Sequence, residues 1–131
     1  MTQYERTALK AVELLRQDQS ILARNIWDLT AYETISTKES REKQCPKLAF
    51  VSLCQLDLIK GISPQNGEVY QGICTHYMRE AAKILKSEPY LINNKSKVWL
   101  KIKGHSDAIA SRLDPIFALW KNNLINEDNI H

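Results

Sequence analysis

The sequence predicts an all-α fold, a compact orthogonal bundle of five or six helices with at most one small β-hairpin near residues 59–69. Apolar side chains recur at spacings of three and four in several segments, which is the period of a helix with one buried face. The turn-rich stretch 57–67 contains Gly61, Pro64 and an Asn66-Gly67 pair, and such a pair can close a hairpin. The length of 131 residues and the 44% apolar share suit one core. We therefore expect residues 1–131 to form a single helical domain.

Two helices are predicted near the start of the chain. The first covers residues 3–17, where one apolar stripe comprises Tyr4, Ala8, Ala11 and Leu15. The second is expected to follow Asp18 or Ser20, either of which could cap it, and to run to about Ile35. Its predicted buried stripe comprises Leu22, Ile26 and Leu29, with Trp27 beside them.

The middle of the chain predicts a loop followed by a central helix. Residues 36–44 are almost entirely polar and offer no core face, so we expect a loop there. Pro46 suits the first turn of a helix, where its missing amide hydrogen has no partner to lose. The helix predicted over 46–56 is apolar on most of its circumference, which is typical of a central helix.

Three further helices are predicted in the second half. One runs over about 72–86, with Ile73 on its apolar stripe, and ends before Pro89. Residues 95–103 fit a strand by alternation and a helix by the i, i+4 pair Val98 and Ile102, and we prefer the helix. The last helix begins at Asp114-Pro115, with Asp114 as its N-cap.

A short pattern recurs at an offset of 66 residues. Residues 51–54 are followed by the pair Leu58-Ile59, and residues 117–120 are followed by the pair Leu124-Ile125. Both copies predict an apolar helix that ends in a turn and packs back on the core.

Composition excludes several function classes. The net charge of +3 is spread along the chain, without the basic stripe of a dedicated nucleic-acid domain. No apolar run reaches the roughly 20 residues needed to span a bilayer, and the first residues do not resemble a signal peptide. We expect a cytoplasmic protein with three reduced thiols, Cys45, Cys54 and Cys74.

Two stretches carry a resemblance to a known family. One is Cys45-Pro46-Lys47-Leu48-Ala49-Phe50, continued by Leu53-Cys54, Leu58-Ile59 and Gly61-Ile62; the other is Ala118-Leu119-Trp120, continued by Leu124-Ile125. On these motifs the chain resembles an uncharacterised bacterial helical family, a domain of unknown function. The resemblance implies a compact helical domain and carries no known activity.

The sequence departs from that family at two positions. Asp57 stands where a glycine is expected before Leu58, and Arg112 stands where an amide side chain is expected. Aspartate tolerates the left-handed conformation that ends many helices, at some cost in free energy.

No reactive constellation emerges from the sequence. Among the possible zinc ligands Cys45, Cys54, Cys74 and His76, only the last two are close in sequence, so we expect ordinary core or surface thiols. His105 is followed by Ser106 and Asp107, a run that we interpret as a polar helix start. Nucleotide-binding glycine motifs are absent. We expect no catalytic residue, no cofactor and no metal, and hence no enzyme.

The leading hypothesis is a non-catalytic protein-binding module. Its sharpest form is an immunity or antitoxin-like protein that binds and neutralises a bacterial toxin. The polar segment 36–44 and the loop 63–68 are the expected contact surfaces. The candidate contact residues are Lys38, Glu39, Arg41, Glu42, Gln65, Asn66 and Glu68.

The alternative hypothesis is a DNA-associated regulator with a winged-helix-like core. In this interpretation an Asn-Gly wing would lie between Ile62 and Val69, and a lysine-rich segment would contact phosphates and stack on bases. Its candidate residues are Lys95, Lys97, Trp99, Lys101 and Lys103. Nucleic acid is the less favoured partner, because as a helix these lysines scatter around the axis.

Overall fold

Helices account for nearly all of the regular structure in the described ranges. The computed structural model describes residues 1–64, 72–103 and 110–131. Its helices are α1 (Gln3–Gln17), α2 (Ala23–Thr34), α3 (Lys38–Arg41), α4 (Gln44–Gln55), α5 (Ile73–Ser87), α6 (Lys95–Lys103) and α7 (Asp114–Lys121). Short 3-10 turns cover Pro89–Asn93, Ala110–Leu113 and Glu127–Asn129. The predicted all-α bundle is confirmed: six helices have eight or more residues, and the described ranges contain no sheet.

Helix α1 has the predicted bounds. A capping box fixes its start: the Glu5 amide donates to the Thr2 hydroxyl at 3.1 Å, and the Thr2 amide donates to the Glu5 carboxylate at 3.2 Å. Its buried face, which includes Ala8, Ala11 and Leu15, packs on α2 and α7.

Helix α2 departs from prediction at its start and on its faces. It begins at Ala23 behind Leu22, which makes no side-chain cap. The predicted cap at Asp18 or Ser20 is wrong, because the Asp18 carboxylate accepts from the Ser20 amide in the preceding turn. Leu29 is exposed, so the predicted stripe is also wrong there. The buried face instead comprises Ala23, Ile26, Trp27, Thr30 and Ala31.

The expected loop over 36–44 is wrong, because this segment contains α3 and the first residue of α4. Thr37 caps α3 by accepting from the Ser40 amide at 3.2 Å. The Tyr4 hydroxyl donates to the Ser40 carbonyl at 3.0 Å and holds the turn against α1. Helix α4 begins at Gln44, so Pro46 is its third residue and still lies in the first turn.

Helix α4 is central, as predicted. Most of its residues from Ala49 to Cys54 are fully buried, and it packs on α2, α5 and α7. The Phe50 ring lies 5.4 Å from the ring of Trp27, which joins α4 to α2. The buried apolar residues form one contiguous cluster that draws on all six longer helices.

The second half confirms the helices and corrects two details. Residues 95–103 form a helix, as preferred over a strand. Ile73 is exposed, so its predicted place on the buried stripe of α5 is wrong. Leu113 is the N-cap residue of α7 and Asp114 is its first residue, so the predicted cap at Asp114 is wrong. The Asp114 carboxylate instead accepts from the Thr2 hydroxyl at 2.9 Å.

The repeated sequence pattern forms two equivalent helix ends. After α4 the Leu58 amide donates to the Leu53 carbonyl at 3.1 Å, and after α7 the Leu124 amide donates to the Leu119 carbonyl at 2.9 Å. Asp57 and Asn123 adopt the left-handed conformation with φ values of 56° and 57°. The predicted turn after each helix is therefore confirmed.

The two helix ends pair with each other. The Lys60 amide donates to the Leu124 carbonyl and the Asn126 amide donates to the Leu58 carbonyl, both at 2.8 Å. These reciprocal bonds flank an isolated antiparallel bridge between Ile59 and Ile125. Ile59 thus pairs with a distant residue, and most of the hairpin predicted near residues 59–69 lies outside the described residues.

Candidate functional site on helices α2 and α3

Lys95, a predicted phosphate contact, forms ion pairs with two carboxylates of the protein itself. Its ammonium lies 2.9 Å from a Glu5 oxygen and 2.7 Å from an Asp114 oxygen, and both carboxylates are buried. Burial acts to raise the pKa of Glu5, but hydrogen bonds from Lys95 and from the Thr2 amide, together with the charges of Lys95 and Lys121, hold this pKa below its usual value. These ion pairs join α1, α6 and the start of α7.

Trp99 is equally unavailable for stacking on a base, since only 1% of it is exposed. Its ring packs edge-on against Tyr77 with the centroids 4.9 Å apart. The Arg112 guanidinium lies 5.5 Å from each of these two rings. Arg112, one of the two departures from the family pattern, thus contributes to an aromatic cluster in the core.

The other lysine side chains of α6 that the structure describes differ in their surroundings. Lys101 pairs with Glu88 at 3.1 Å. Lys97 is exposed on the same helix, and Lys103 is its last residue. The structure therefore does not bring Lys95, Lys97, Trp99 and Lys101 together as a binding surface.

The cysteines occupy different environments. Cys54 and Cys74 are buried and Cys45 is half-buried. Desolvation raises the pKa of the Cys54 thiol to about 12, so this thiol stays protonated at neutral pH. The described part of the chain contains no group of three or more His, Cys, Asp or Glu side chains that could hold a metal ion. The run His105-Ser106-Asp107 lies outside that part.

Two large apolar side chains on α2 are exposed one helical turn apart. Leu29 is 61% and Tyr32 is 74% exposed, whereas the opposite face of the helix is buried. The guanidinium carbon of Arg41, on α3, lies 4.9 Å from the centre of the Tyr32 ring. We call the surface formed by Leu29, Tyr32, Lys38 and Arg41 the α2–α3 face.

A shallow cleft of about 410 Å³ lies on this face. Lys38, Arg41 and Glu42, three predicted contact residues, line it together with Asp28, Tyr32, Gln44 and Lys47.

Most charges of the cleft are paired within the protein. Lys47 lies 2.9 Å from Asp28, and Lys38 lies 4.0 Å from Glu42. In the ranges described above, no carboxylate comes within 4.0 Å of the Arg41 guanidinium, so this cation is compensated only by the Tyr32 ring.

The remaining predicted contacts are not part of the cleft. Glu39 is exposed on α3 but does not line it. Gln65, Asn66 and Glu68 lie outside the described residues. The sequence analysis did not include Tyr32 among the candidate contacts and placed Leu29 on the buried face. Their i, i+3 spacing, on the side of α2 opposite its small residues, could have indicated that both are exposed together.

The fold and this surface define the class of the protein: an all-α bundle with a mixed apolar and charged face on its second and third helices. A family model described as a family of unknown function (DUF6979) matches residues 1–126, and the chain belongs to this family. The predicted resemblance to an uncharacterised domain is thereby confirmed.

Two other comparisons gave no relative, since no curated protein and no solved structure matches the chain. Within the described ranges, no helix combines the length and apolar character needed to cross a membrane.

Proposed function

We propose that the chain is a non-catalytic protein-binding module that contacts its partner through the α2–α3 face. The observation that carries this proposal is the exposure of Leu29 and Tyr32 one turn apart, with Arg41 stacked on the tyrosine ring. Exposed large apolar side chains that adjoin each other and are rimmed by charges are typical of protein interfaces.

The chemistry of the face suits an interface hot spot. Tyrosine and arginine are enriched among the residues that dominate binding energy. The contact between Arg41 and Tyr32 restricts both side chains before binding, which lowers the entropy lost when a partner docks. A face that is already ordered can therefore bind with a small contact area.

The charge of Arg41 indicates which chemical group the partner should place against it. Because Arg41 has no carboxylate partner among the described residues, we expect an aspartate or glutamate of the partner to pair with it, beside an apolar side chain that covers Tyr32 and Leu29. A carboxylate meets a planar guanidinium through two hydrogen bonds, which gives such a pair directional specificity.

The narrower form of the proposal is an immunity or antitoxin-like protein of a bacterial cytoplasm. The placement of the mixed face on one side of α2 and α3 supports it. In this form the partner is a toxin whose surface is acidic and apolar where it meets Tyr32 and Arg41.

Co-expression with the proteins encoded by the neighbouring genes tests the proposal. We expect one of them to form a stoichiometric complex, and Leu29→Ser and Tyr32→Ala each to weaken it by about 2 kcal/mol or more, roughly thirtyfold in Kd. Isothermal titration calorimetry measures the affinity. For the narrower form, co-expression should restore growth of cells that produce the toxin, and Tyr32→Ala should lose this rescue.

Two exposed residues elsewhere provide matched controls. Tyr90 is 67% and Leu100 is 41% exposed, and neither belongs to the α2–α3 face. Tyr90→Ala and Leu100→Ser should leave the affinity unchanged. A complex that is insensitive to Leu29 and Tyr32 would contradict the proposed surface. Binding to duplex DNA that weakens steeply with added salt would support a DNA-associated regulator instead.

A further inference from the structure

A second cleft, of about 420 Å³, lies where the end of α4 meets α5 and the last residues of the chain. It shares no residue with the α2–α3 face. Its apolar wall includes Leu56, Leu58, Ala82 and Ile130. The volume falls within the roughly 300–1,000 Å³ common for small-molecule sites.

Two side chains of opposite charge line this cleft together with Asn129 and His131. Asp57 and Arg79 both contribute to its wall, yet they are not within ion-pair distance of each other. No described residue forms an ion pair or a side-chain hydrogen bond with the Asp57 carboxylate or with the Arg79 guanidinium. Arg79 is exposed and Asp57 is half-buried, so the cleft presents, beside apolar surface, one negative and one positive group that meet solvent and have no partner among the described residues.

The backbone of Asp57 is held firmly on both sides. Its amide donates to the Cys54 carbonyl at 3.1 Å, and its carbonyl accepts from the Asn129 side-chain amide at 2.7 Å. The equivalent residue after α7, Asn123, has the same backbone conformation, but its side-chain oxygen accepts from the Lys60 ammonium at 3.1 Å. Of the two matching turns, only the one at the cleft leaves its side chain without a partner among the described residues.

We propose that this cleft binds a zwitterionic α-amino acid with an aliphatic side chain. The ligand ammonium pairs with Asp57, its carboxylate pairs with Arg79, and its side chain packs on the apolar wall formed by Leu56, Leu58 and Ile130. A ligand with both charges satisfies both protein groups at once, whereas a purely anionic or cationic ligand leaves one of them uncompensated.

Titration of the isotope-labelled full chain with L-leucine, followed by NMR, tests this proposal. We expect saturable shifts of the Leu58, Ala82 and Ile130 amides by about 10 mM leucine. N-acetyl-leucine lacks the ammonium and leucinamide lacks the carboxylate, so each should bind at least about tenfold more weakly. Titration with leucylglycine tests whether the zwitterionic ligand is a free amino acid or a peptide. Tighter binding of leucylglycine than of leucine would assign the site to a peptide with the same chemistry.

Charge-neutral variants locate the site. Asp57→Asn keeps a residue that tolerates the left-handed backbone, and Arg79→Gln removes the cation, so each should weaken leucine binding about tenfold or more. The controls Glu39→Gln and Lys97→Gln remove exposed charges elsewhere and should change nothing. The proposal is overturned by the absence of shifts at the cleft amides, by equal binding of leucine and its two analogues, or by unchanged binding in both variants.

Discussion

At the scale of single residues, the half-buried Lys95 of α6 shows that tertiary position decides whether a charged side chain serves the fold or a ligand. From sequence, Lys95 belonged to a set of lysines that could contact phosphates. In the structure its ammonium lies between Glu5 and Asp114, which come from the starts of α1 and α7. Sequence spacing cannot reveal such a contact, because the residues of the pair Lys95 and Glu5 are 90 positions apart.

Removal of this ammonium should destabilise the fold. Lys95→Met leaves two buried carboxylates without their nearest cation, and breaking a buried pair in this way costs about 3–5 kcal/mol. Urea denaturation measures the loss in the free energy of unfolding. Lys10→Met removes the exposed pair with Glu33, which water and salt screen, and should lower the free energy of unfolding far less than Lys95→Met does. Equal small losses in the two variants would contradict the structural role of Lys95.

The same ion pairs predict a pH dependence. Since the pKa of Glu5 in the folded protein lies below its usual value of 4.5, Glu5 contributes stability above pH 4.5 that is lost as the pH falls through the lowered folded value. Glu5→Gln should therefore be less stable than the original protein at neutral pH, and the difference should shrink below pH 4.5. Urea denaturation of both proteins across this range tests the effect. A constant difference at all pH values would contradict it.

At the scale of elements, the helical period predicted most helices but not their faces or caps. The bounds of α1 and the helical state of α6 follow from apolar spacing. In α2 the predicted stripe is correct at Ile26 and wrong at Leu29, which is exposed. Spacing favoured the larger aliphatic residues, whereas the protein completes the buried face with Trp27 and small residues such as Ala31 that allow close packing.

The helix ends were predictable where the chain needs a left-handed backbone conformation, because few residue types tolerate it. Asp57 was expected to take the left-handed conformation, and it does. The pairing of the two equivalent turns was not predictable, because nothing local to Ile59 indicates Ile125 as its neighbour. The short helix α3 was missed because its anchor, the Tyr4 hydroxyl, comes from another helix.

Replacement of Asp57 by glycine should stabilise the protein. Glycine adopts a φ of 56° without the steric cost that an L residue meets, so Asp57→Gly should raise the free energy of unfolding by about 0.5–1.5 kcal/mol. Asp57→Ala should lower it, since alanine keeps the Cβ but lacks the polar side chain that eases this conformation. Urea denaturation checks both changes. Stabilisation by alanine would contradict the argument.

At the scale of the whole molecule, one apolar cluster links the helices, and this predicts cooperative unfolding. Trp27 in α2 and Trp99 in α6 both belong to that cluster although they lie far apart in sequence. Fluorescence of Trp27→Phe and Trp99→Phe variants and far-ultraviolet circular dichroism should give coincident urea transitions for each protein. Separate midpoints would contradict the prediction of a single domain.

The candidate site was only partly predictable at this scale. The segment that contains Lys38, Arg41 and Glu42 was predicted as a contact surface from its polarity, and three of its residues do line a cleft. Tyr32 completes this face because α3 folds back over α2, a tertiary arrangement that polarity alone does not encode. The function of the surface stays a prediction.

Site-specific photo-crosslinking tests the central claim, the use of the α2–α3 face for partner binding, most directly. A photoreactive phenylalanine derivative placed at Tyr32 or at Tyr90 reports which exposed aromatic position touches the partner in a complex formed in cells. We predict one covalent adduct of defined mass from position 32 and none from position 90. Crosslinking from position 90 alone, while a stoichiometric complex forms, would contradict the account.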